Sequence, residues 1–578
     1  MTENMREADS NRLTRTQVRL LCCLIAIVSS AVLFAHWPAL SAKALSFDDS
    51  QYLVNNALVR NPSWKNASRF LSEVTKPSTV VGYYQPLTMI SLMLDYALGG
   101  RPDNLYVFHR TSIALHIVNT GLIIVLLYLL FGDVLASAAV GLLFGVHPMT
   151  VEPIPWVGER KTLLAAFFAL LCLVFYVLYC KRKSRLSYAA CIATYVMAVM
   201  SKPTAMGLPL LMVLMDYWPL RRLSLRVVFE KAPLLVIAIA SAVITLIGQK
   251  QVGGSETGGA GVFGSVLVVC HNIVFYLYKI VYPANLSSHY AFPKVMALSN
   301  PMVLAGVVGT CVLIVILAIS LRWTRALITG WLFFFLGILP TMQLVKFSNV
   351  IASDKFAYLP SLGLLMVLAT FLKRLLNYKS KARVVFVLLF VLAAAGLETT
   401  ATRRYLACWR DTVTLFERMA SLTPDSAPVH TTLGNALREA GRIDEAMEQH
   451  LLSLKLDPNS ADGHNNIGVA LGMQGKLDEA IEHFQRSIDI NPALTSAHNN
   501  FGGALYLKGR FDEAAEQFDY ALRLNPDFAE AHNSLGIIRG FQGRIDEAII
   551  HFRKALEIQP DYREASENLQ AAKRLKRK

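Results

Sequence analysis

The chain has 578 residues, a formal net charge of +15, 54% hydrophobic residues and a mean hydropathy of +0.41, and only 17% of its residues are charged. This composition excludes an ordinary soluble globular protein and indicates several membrane spans. Segment 427–562 carries 12 Lys and Arg against 20 Asp and Glu, a balance of −8, so the remainder carries +23. Cytoplasm-facing loops produce such a basic membrane part, which argues against nucleic-acid binding.

The N-terminal stretch is polar and contains several arginines, and the apolar run 20–40 follows it. No small-residue cleavage site follows the run, so we expect an uncleaved anchor with its N-terminus in the cytoplasm. The run then delivers Asp48 and Asp49 to the other side of the membrane. Two adjacent carboxylates there stay near water, a cation or a substrate hydroxyl. They are either a hydrated helix end or active-site carboxylates.

Further apolar runs predict additional spans, and basic clusters between them set the orientation. The clusters can all face the cytoplasm only if 262–282 makes no net crossing. We therefore expect that stretch to be a re-entrant or interfacial helix, or one of a pair. The total is eleven crossings, with the C-terminus outside. The later spans are predicted at 107–130, 134–147, 163–180, 187–200, 205–218, 232–248, 301–320, 326–341, 358–372 and 384–400.

A strict period follows the last span. Prolines recur every 34 residues, at Pro424, Pro458, Pro492, Pro526 and Pro560. This is the tetratricopeptide period, in which paired helices stack into a solenoid. The pattern predicts four repeats over 427–562, after a membrane domain at 1–404 and a linker helix at 405–426. Residues 563–578 form a basic capping helix and tail.

Two further loops on the outer side carry candidate chemistry. The first contains His147, Glu152 and the pair Arg160 and Lys161; a carboxylate there suits a general base or a cation, and the basic pair suits a phosphate. The second contains Lys355 and Tyr358, which are either site residues or anchors at the membrane interface. His109 lies near the outer end of its predicted span, where it is either a site residue or a satisfied polar group.

These motifs, in this order, resemble the transmembrane and tetratricopeptide-repeat-containing O-mannosyltransferases and their bacterial relatives, of the GT-C class of glycosyltransferases. The resemblance rests on the acidic first outer loop, on His147-Pro148-x-x-x-Glu152 with Trp156 and a basic pair, on the segment ending Tyr358-Leu359-Pro360-Ser361, and on the repeats. It implies an all-α fold, a polytopic GT-C-type helical bundle followed by a repeat solenoid. One departure is Asp354-Lys355-Phe356, where the family more usually shows Glu-Arg-Tyr; lysine lacks the bidentate fork of arginine.

The resemblance also implies roles for the candidate residues. Asp49 or Asp48 would deprotonate or orient an acceptor hydroxyl, and Glu152 would assist them or bind a divalent cation, Mg or Mn. A polyprenyl-phosphate leaving group needs fixed positive charge nearby. The expected donor-phosphate residues are Arg160, Lys161, Lys355 and Tyr358, and His109 and His147 are further site candidates.

The repeats carry Asn466 and Asn500 at the position that usually faces the concave groove. The surrounding segments resemble the asparagine ladder of O-linked N-acetylglucosamine transferase repeats, which implies that these residues bind an acceptor polypeptide. The alternative is that they are solvated polar residues.

Together these features predict an integral-membrane protein O-glycosyltransferase that moves a monosaccharide, mannose by family default, from a polyprenyl-phosphate donor to protein Ser or Thr outside the cytoplasm. The alternatives are a glycan- or lipid-directed glycosyltransferase and a non-enzymatic, membrane-anchored repeat scaffold. The short array and compact loops favour a bacterial cytoplasmic membrane, with the endoplasmic reticulum membrane as the alternative.

Overall fold

The computed structural model describes residues 15–45, 48–75, 80, 83–250, 262–293, 295–342, 350–377, 380–559 and 562–577. It divides into two compact units, Met1–Leu415 and Phe416–Lys578. Both units are built from helices, so the predicted all-α class, an apolar bundle followed by tetratricopeptide repeats, is confirmed.

The helices of the first unit follow the apolar runs closely, because burial of a continuous apolar surface decides their extent. They are α1 Arg15–His36, α2 Ala57–Arg60, α3 Trp64–Ser72, α4 Pro86–Ala97, α5 Tyr106–Phe131, α6 Val134–Val146, α7 Arg160–Arg182, α8 Arg185–Ser201, α9 Leu208–Tyr217, α10 Leu225–Phe229, α11 Ala232–Lys250, α12 Val262–Val281, α13 Pro301–Ser320, α14 Ala326–Ile338, α15 Leu362–Leu376, α16 Lys381–Ala407 and α17 Thr412–Leu422.

Within the described residues, six helical segments are long and apolar enough to cross a membrane, by length and composition. The chain is therefore a multi-pass membrane protein, and the count of eleven crossings stays a prediction. Helix α12, within the stretch expected to make no net crossing, is one of the six and packs against α13. The six are Arg15–Ser41, Tyr106–Phe131, Val157–Arg182, Phe263–Val281, Pro301–Ser320 and Lys381–Ala407.

The two ends of the bundle differ in charge. At one end Lys373 donates to Phe131 O at 2.6 Å, Arg325 lies 4.9 Å from the Tyr217 ring centroid, and Arg222 pairs with Asp216 at 2.8 Å. The 23 residues of α7 span about 34 Å, the thickness of a bilayer core. Helix α7 thus runs from this basic end to the end where the acidic loop lies.

A two-stranded pairing closes the acidic end. Strand β1, Tyr290–Ala291, runs antiparallel to β2, Val350–Ala352. The segment after β2 forms a 3-10 turn, Asp354–Ala357, that leads into α15. The pairing therefore fixes the backbone that carries Lys355.

The second unit contains the repeats as helix pairs: α18 Ala427–Glu439 with α19 Ile443–Leu456, α20 Ala461–Met473 with α21 Leu477–Ile490, α22 Thr495–Leu507 with α23 Phe511–Leu524, and α24 Ala529–Phe541 with α25 Ile545–Ile558, followed by α26 Arg563–Arg577.

A glycine in the first helix of each pair allows the ring of its partner helix to approach. Gly468, Gly502 and Gly536 face phenylalanine rings, whereas Gly434 faces the ring of His450. Both ring nitrogens of His450 are buried and find no hydrogen-bond partner among the residues that the structure describes. The first repeat thus contains a polar ring where the other three contain an apolar one.

Candidate active site

The paired aspartates meet the turn that precedes α7. Asp48 accepts a hydrogen bond from Trp156 Nε1 at 2.7 Å and pairs with Lys161 Nζ at 2.8 Å. Asp49 Oδ1 accepts from Gly158 N at 2.7 Å. A Cβ on Gly158 would lie 2.8 Å from Asp48 Oδ1, so this position requires glycine. The first and second predicted outer loops are therefore in direct contact.

The two aspartates differ in access. The Asp48 side chain is 30% exposed, whereas Asp49 is fully buried. Lys161, the partner of Asp48, also donates to Tyr52 OH at 3.1 Å. Burial raises the pKa of Tyr52 to about 12, so its hydroxyl stays protonated at neutral pH. Asp48 is thus the carboxylate of the pair that a substrate hydroxyl can reach.

Three lysines converge on one buried carboxylate, Glu159. The distances from its oxygens are 3.2 Å to Lys161 Nζ, 3.4 Å to Lys202 Nζ and 3.2 Å to Lys355 Nζ. Burial lowers the pKa of Lys202, and the Glu159 charge opposes that shift. Glu159 therefore holds three ammonium groups from three separate parts of the chain in one cluster.

Glu152 fixes the segment that carries Lys355. It is fully buried and accepts from Ser353 Oγ at 2.8 Å and from Lys355 N at 2.9 Å, and the Lys355 ammonium lies 3.5 Å away. Burial raises the pKa of Glu152, while Lys355 acts in the opposite direction. Lys355 Nζ also lies 3.5 Å from the ring centroid of Trp156, a cation–π contact. Glu152 is thus a buried support rather than an exposed base.

Asp354 faces away from these lysines. Its oxygens accept from Ser287 N at 3.0 Å and from Tyr290 OH at 3.0 Å. Burial raises the pKa of Asp354 well above its usual value, and the Glu152 charge adds to the rise. This side chain therefore ties β1 to the turn that follows β2.

A cleft leads from this network into the bundle. It has a volume of about 60 Å³ and contains Lys202 and Lys355 at its polar end. Side chains of α7, α9, α14 and the segment before α15 line the rest, and most of them are apolar. The cleft suits a ligand that has an anionic head and an apolar tail.

Arg160 lies in a buried ion pair outside the lysine cluster, and its phosphate role stays a prediction. This guanidinium is fully buried and pairs with Asp95 at 2.8 Å, and it donates to Phe108 O at 2.6 Å and Ser91 Oγ at 2.9 Å. Successive helical residues point about 100° apart, so Arg160 and Lys161 face different neighbours. Arg160 joins α7 to α4 and α5, and its charge is already neutralised.

Tyr358 also lies apart from the lysine cluster, and its phosphate role stays a prediction. Its hydroxyl lies 2.7 Å from His116 Nδ1 and accepts from Asn119 Nδ2 at 3.3 Å, inside the bundle. Both bonds connect the end of the Lys355 segment to α5. Tyr358 is therefore part of the packed core and not of the lysine cluster.

The two histidine candidates both contact backbone carbonyl groups, and their role in the site stays a prediction. His109 Nε2 donates to Pro155 O at 3.0 Å, which supports the loop before Trp156. His147 Nδ1 accepts from Met149 N at 3.2 Å, and Nε2 donates to Ile280 O at 3.0 Å. The backbone thus occupies both nitrogens of His147, outside the lysine cluster.

Sequence reasoning missed Glu159 and Lys202. Glu159 lies within the motif that carries the basic pair, and the adjacent charges of Arg160 and Lys161 obscured its role. Lys202 follows the outer end of a predicted span, where a lysine runs against the positive-inside rule. A lysine on the outer side of the membrane is unusual, and this is the signal that would have identified Lys202.

Among the described residues, no group of three or more His, Cys, Asp or Glu side chains is arranged to hold a metal ion. The divalent cation thus stays a prediction.

The repeat asparagines form contacts between successive helices. Asn500 Nδ2 donates to Asn465 Oδ1 at 3.0 Å, and Asn568 makes the same bond to Asn533, also at 3.0 Å. Asn466 is half-buried on α20, next to Asn465. A row of amides therefore follows the first helices of the repeats, with the acceptor role of Asn466 and Asn500 still a prediction.

Family models described as tetratricopeptide repeat match residues 461–494 and 501–572, and one described as TPR repeat matches 434–475. A protein O-mannosyl-transferase of Caenorhabditis elegans is 23% identical over 424 residues, which is 71% of this chain and 59% of that protein. The protein O-mannosyl-transferase TMTC2 of Homo sapiens is 28% identical over 27% of this chain and 19% of its own length. Among solved structures, MamA is 26% identical with a TM-score of 0.23, over 26% of this chain and 87% of that chain.

The chain spans about three fifths of the length of the nematode relative and about a fifth of the human one. The nematode match covers 424 residues, so it extends well beyond the repeats. The chain is thus a multi-pass, tetratricopeptide-repeat protein that is similar, over 71% of its length, to a protein O-mannosyl-transferase.

Proposed function

We propose that this protein is an integral-membrane O-mannosyltransferase that moves mannose from a polyprenyl-phosphate donor to a Ser or Thr hydroxyl of a protein. The observation that carries the proposal is the joining of an accessible carboxylate, Asp48, to a lysine cluster that opens into an apolar cleft. The names of the related proteins supply the sugar and the acceptor class.

The donor fits the cleft by charge and polarity. Its phosphate would meet Lys202 and Lys355, and its polyprenyl chain would follow the apolar walls towards the bilayer. Fixed ammonium groups stabilise the negative charge that develops on the leaving phosphate, and they act strongly where water is excluded. Glu159 holds these lysines in place before the donor arrives.

Asp48 is the proposed base. The acceptor oxygen attacks the anomeric carbon, its proton passes to Asp48, and the bond between that carbon and the phosphate oxygen breaks. The leaving polyprenyl phosphate takes the electron pair, and the configuration at the anomeric carbon inverts. Asp49 is a positioning residue, because its contact with Gly158 N holds the turn next to Asp48.

The setting follows from the two ends of the bundle. Basic groups favour the cytoplasmic side, so the end with Arg222, Arg325 and Lys373 would face the cytoplasm. The site at the other end would then face outward, where a lipid-linked donor and secreted acceptors meet. A bacterial cytoplasmic membrane is the setting we favour, with the endoplasmic reticulum membrane as the alternative. The row of repeat amides would recruit the acceptor chain by hydrogen bonds to its backbone.

The test is transfer by the purified full-length protein in lipid, supplied with polyprenyl-phosphate mannose and secreted-protein acceptors. Asp48→Asn should lower kcat at least about a hundredfold, the usual contribution of a general base, and leave the thermal midpoint unchanged. Asp49→Asn should lower stability together with rate, because this residue is buried. The exposed Asp103→Asn is the matched control and should have wild-type activity.

Each other outcome selects a different function. Full activity of Asp48→Asn would remove this residue as the base. Transfer to lipid or glycan but not to protein would favour the glycan- or lipid-directed enzyme. No transfer by the wild-type protein from any polyprenyl-phosphate donor would favour the membrane-anchored scaffold.

A further inference from the structure

A second pocket lies on the other side of the segment that carries Lys355. It has a volume of about 150 Å³, and α6, α15, α16 and the C-terminal end of α12 line it. Leu143, Phe144, Leu365 and Leu368 make its walls largely apolar. Glu398, from the membrane-spanning α16, is part of the lining. A carboxyl group in a largely apolar lining is costly unless something pairs with it.

Glu398 lacks such a partner within the part of the chain that the structure describes. Its Oε2 atom is buried and has no hydrogen-bond donor. His147 is adjacent, but Nε2 of its ring lies 4.0 Å from Glu398 Oε1 and already donates to Ile280 O. Buried polar atoms in native proteins nearly always have a hydrogen-bond partner, so a bound ligand is a candidate donor to Glu398 Oε2.

The lining restricts the class of ligand. It contains neither Lys nor Arg, in contrast to the cleft with Lys202 and Lys355, so a phosphate headgroup has no cation here. An amine-bearing phospholipid carries such a phosphate and fits poorly for the same reason. A neutral hydroxyl can donate to Glu398 without placing a new charge in an apolar pocket. The walls accept an alkyl or isoprenoid chain.

We propose that this pocket binds a lipid alcohol, with the hydroxyl of the alcohol on the Glu398 carboxyl and its chain against Leu143, Leu365 and Leu368. Helix α16 lies at the lipid-facing periphery of the bundle, since Leu397 is 75% exposed and Phe390 is 67% exposed. The ligand would then reach the pocket from the bilayer, past α16. The site is distinct from the catalytic network and does not depend on the transferase activity.

The test uses the full-length protein in phosphatidylcholine vesicles and a diazirine-bearing long-chain primary alcohol. After illumination, mass spectrometry should locate the label on the α6 and α15 walls, and unlabelled alcohol should compete for it. The methyl ether of the same probe cannot donate a hydrogen bond and should label the wild-type protein at least fivefold less. This comparison needs no variant and so does not depend on how a variant folds.

Two variants complete the design. Glu398→Leu should lower labelling by the alcohol to the level of the ether, and Leu365→Trp should block labelling by filling the pocket. Leu397→Trp, the matched control on the exposed face of α16, should label like the wild type. Equal labelling by alcohol and ether, or labelling that persists in both pocket variants, would overturn the proposal.

Discussion

Replacing Arg160 by methionine separates the role that the structure gives this residue from a role in phosphate binding. Arg160 is fully buried, Asp95 is 2% exposed, and their charged atoms lie 2.8 Å apart. At that distance and an effective dielectric constant of about 20, the attraction is about 6 kcal/mol before desolvation is subtracted. Removing one member of a buried pair costs about 3–5 kcal/mol, because the other charge stays buried and unpaired.

We therefore expect Arg160→Met to lower the thermal midpoint of the purified protein by several degrees, while the folded fraction keeps its KM for the donor. The double variant Arg160→Met/Asp95→Leu should recover part of the stability, since no unpaired charge remains. Thermal unfolding and donor titration of both variants are the measurements. A folded Arg160→Met protein of normal stability whose donor KM rises tenfold or more would refute this reasoning and restore the phosphate role.

Three further predictions follow from the site and the repeats. Lys202→Met and Lys355→Met should each raise the donor KM by about 10- to 100-fold, from about 1.5–3 kcal/mol for a charged hydrogen bond, and an unchanged KM in both would exclude them as phosphate ligands. Because burial raises the pKa of Asp354, the folded protein holds that proton more tightly than the unfolded chain, so stability falls as the pH rises above about 4. Asp354→Asn should therefore reduce the decline of the thermal midpoint as the pH rises above about 4, and an equally steep decline would contradict the assignment. His450→Phe should stabilise the repeats by about 1–3 kcal/mol in urea unfolding, since it removes two buried, unpartnered nitrogens, and a loss of stability would show that the ring has an unrecognised partner.

The helices were predictable because apolar length and periodicity decide them locally. The observed α5 and α13, for example, begin and end within one residue of the runs that predicted them. The repeats were predictable because a 34-residue period has one well-known structural meaning. The orientation argument placed the loops of Asp48, Lys161 and Lys355 on one side of the membrane, but the contact between them was not predicted.

The side-chain assignments were less predictable, because they depend on rotation about a helix and on contacts distant in sequence. Arg160 and Lys161 are neighbours in sequence, yet only Lys161 reaches Asp48. Tyr358 follows Lys355 by three residues but turns into the bundle. Sequence reasoning also could not find the shared role of Glu159. Its partner Lys161 is two positions away, but Lys202 and Lys355 are 43 and 196 positions away in the sequence.

The bridging position of Lys161, between Asp48 at 2.8 Å and Glu159 at 3.2 Å, couples proton movement to charge balance. In the proposed reaction, Asp48 becomes neutral when it takes the acceptor proton, and the departing phosphate gains a second negative charge in the same step. Lys161 then loses one counter-ion and can neutralise Glu159 alone. The ion pairs of Glu159 with Lys202 and Lys355 then weaken, and these two lysines pair with the phosphate as the negative charge of the phosphate grows. In the proposed reaction, the ion pairs of the lysine cluster thus rearrange so that positive charge moves from the base towards the leaving group, without moving the backbone.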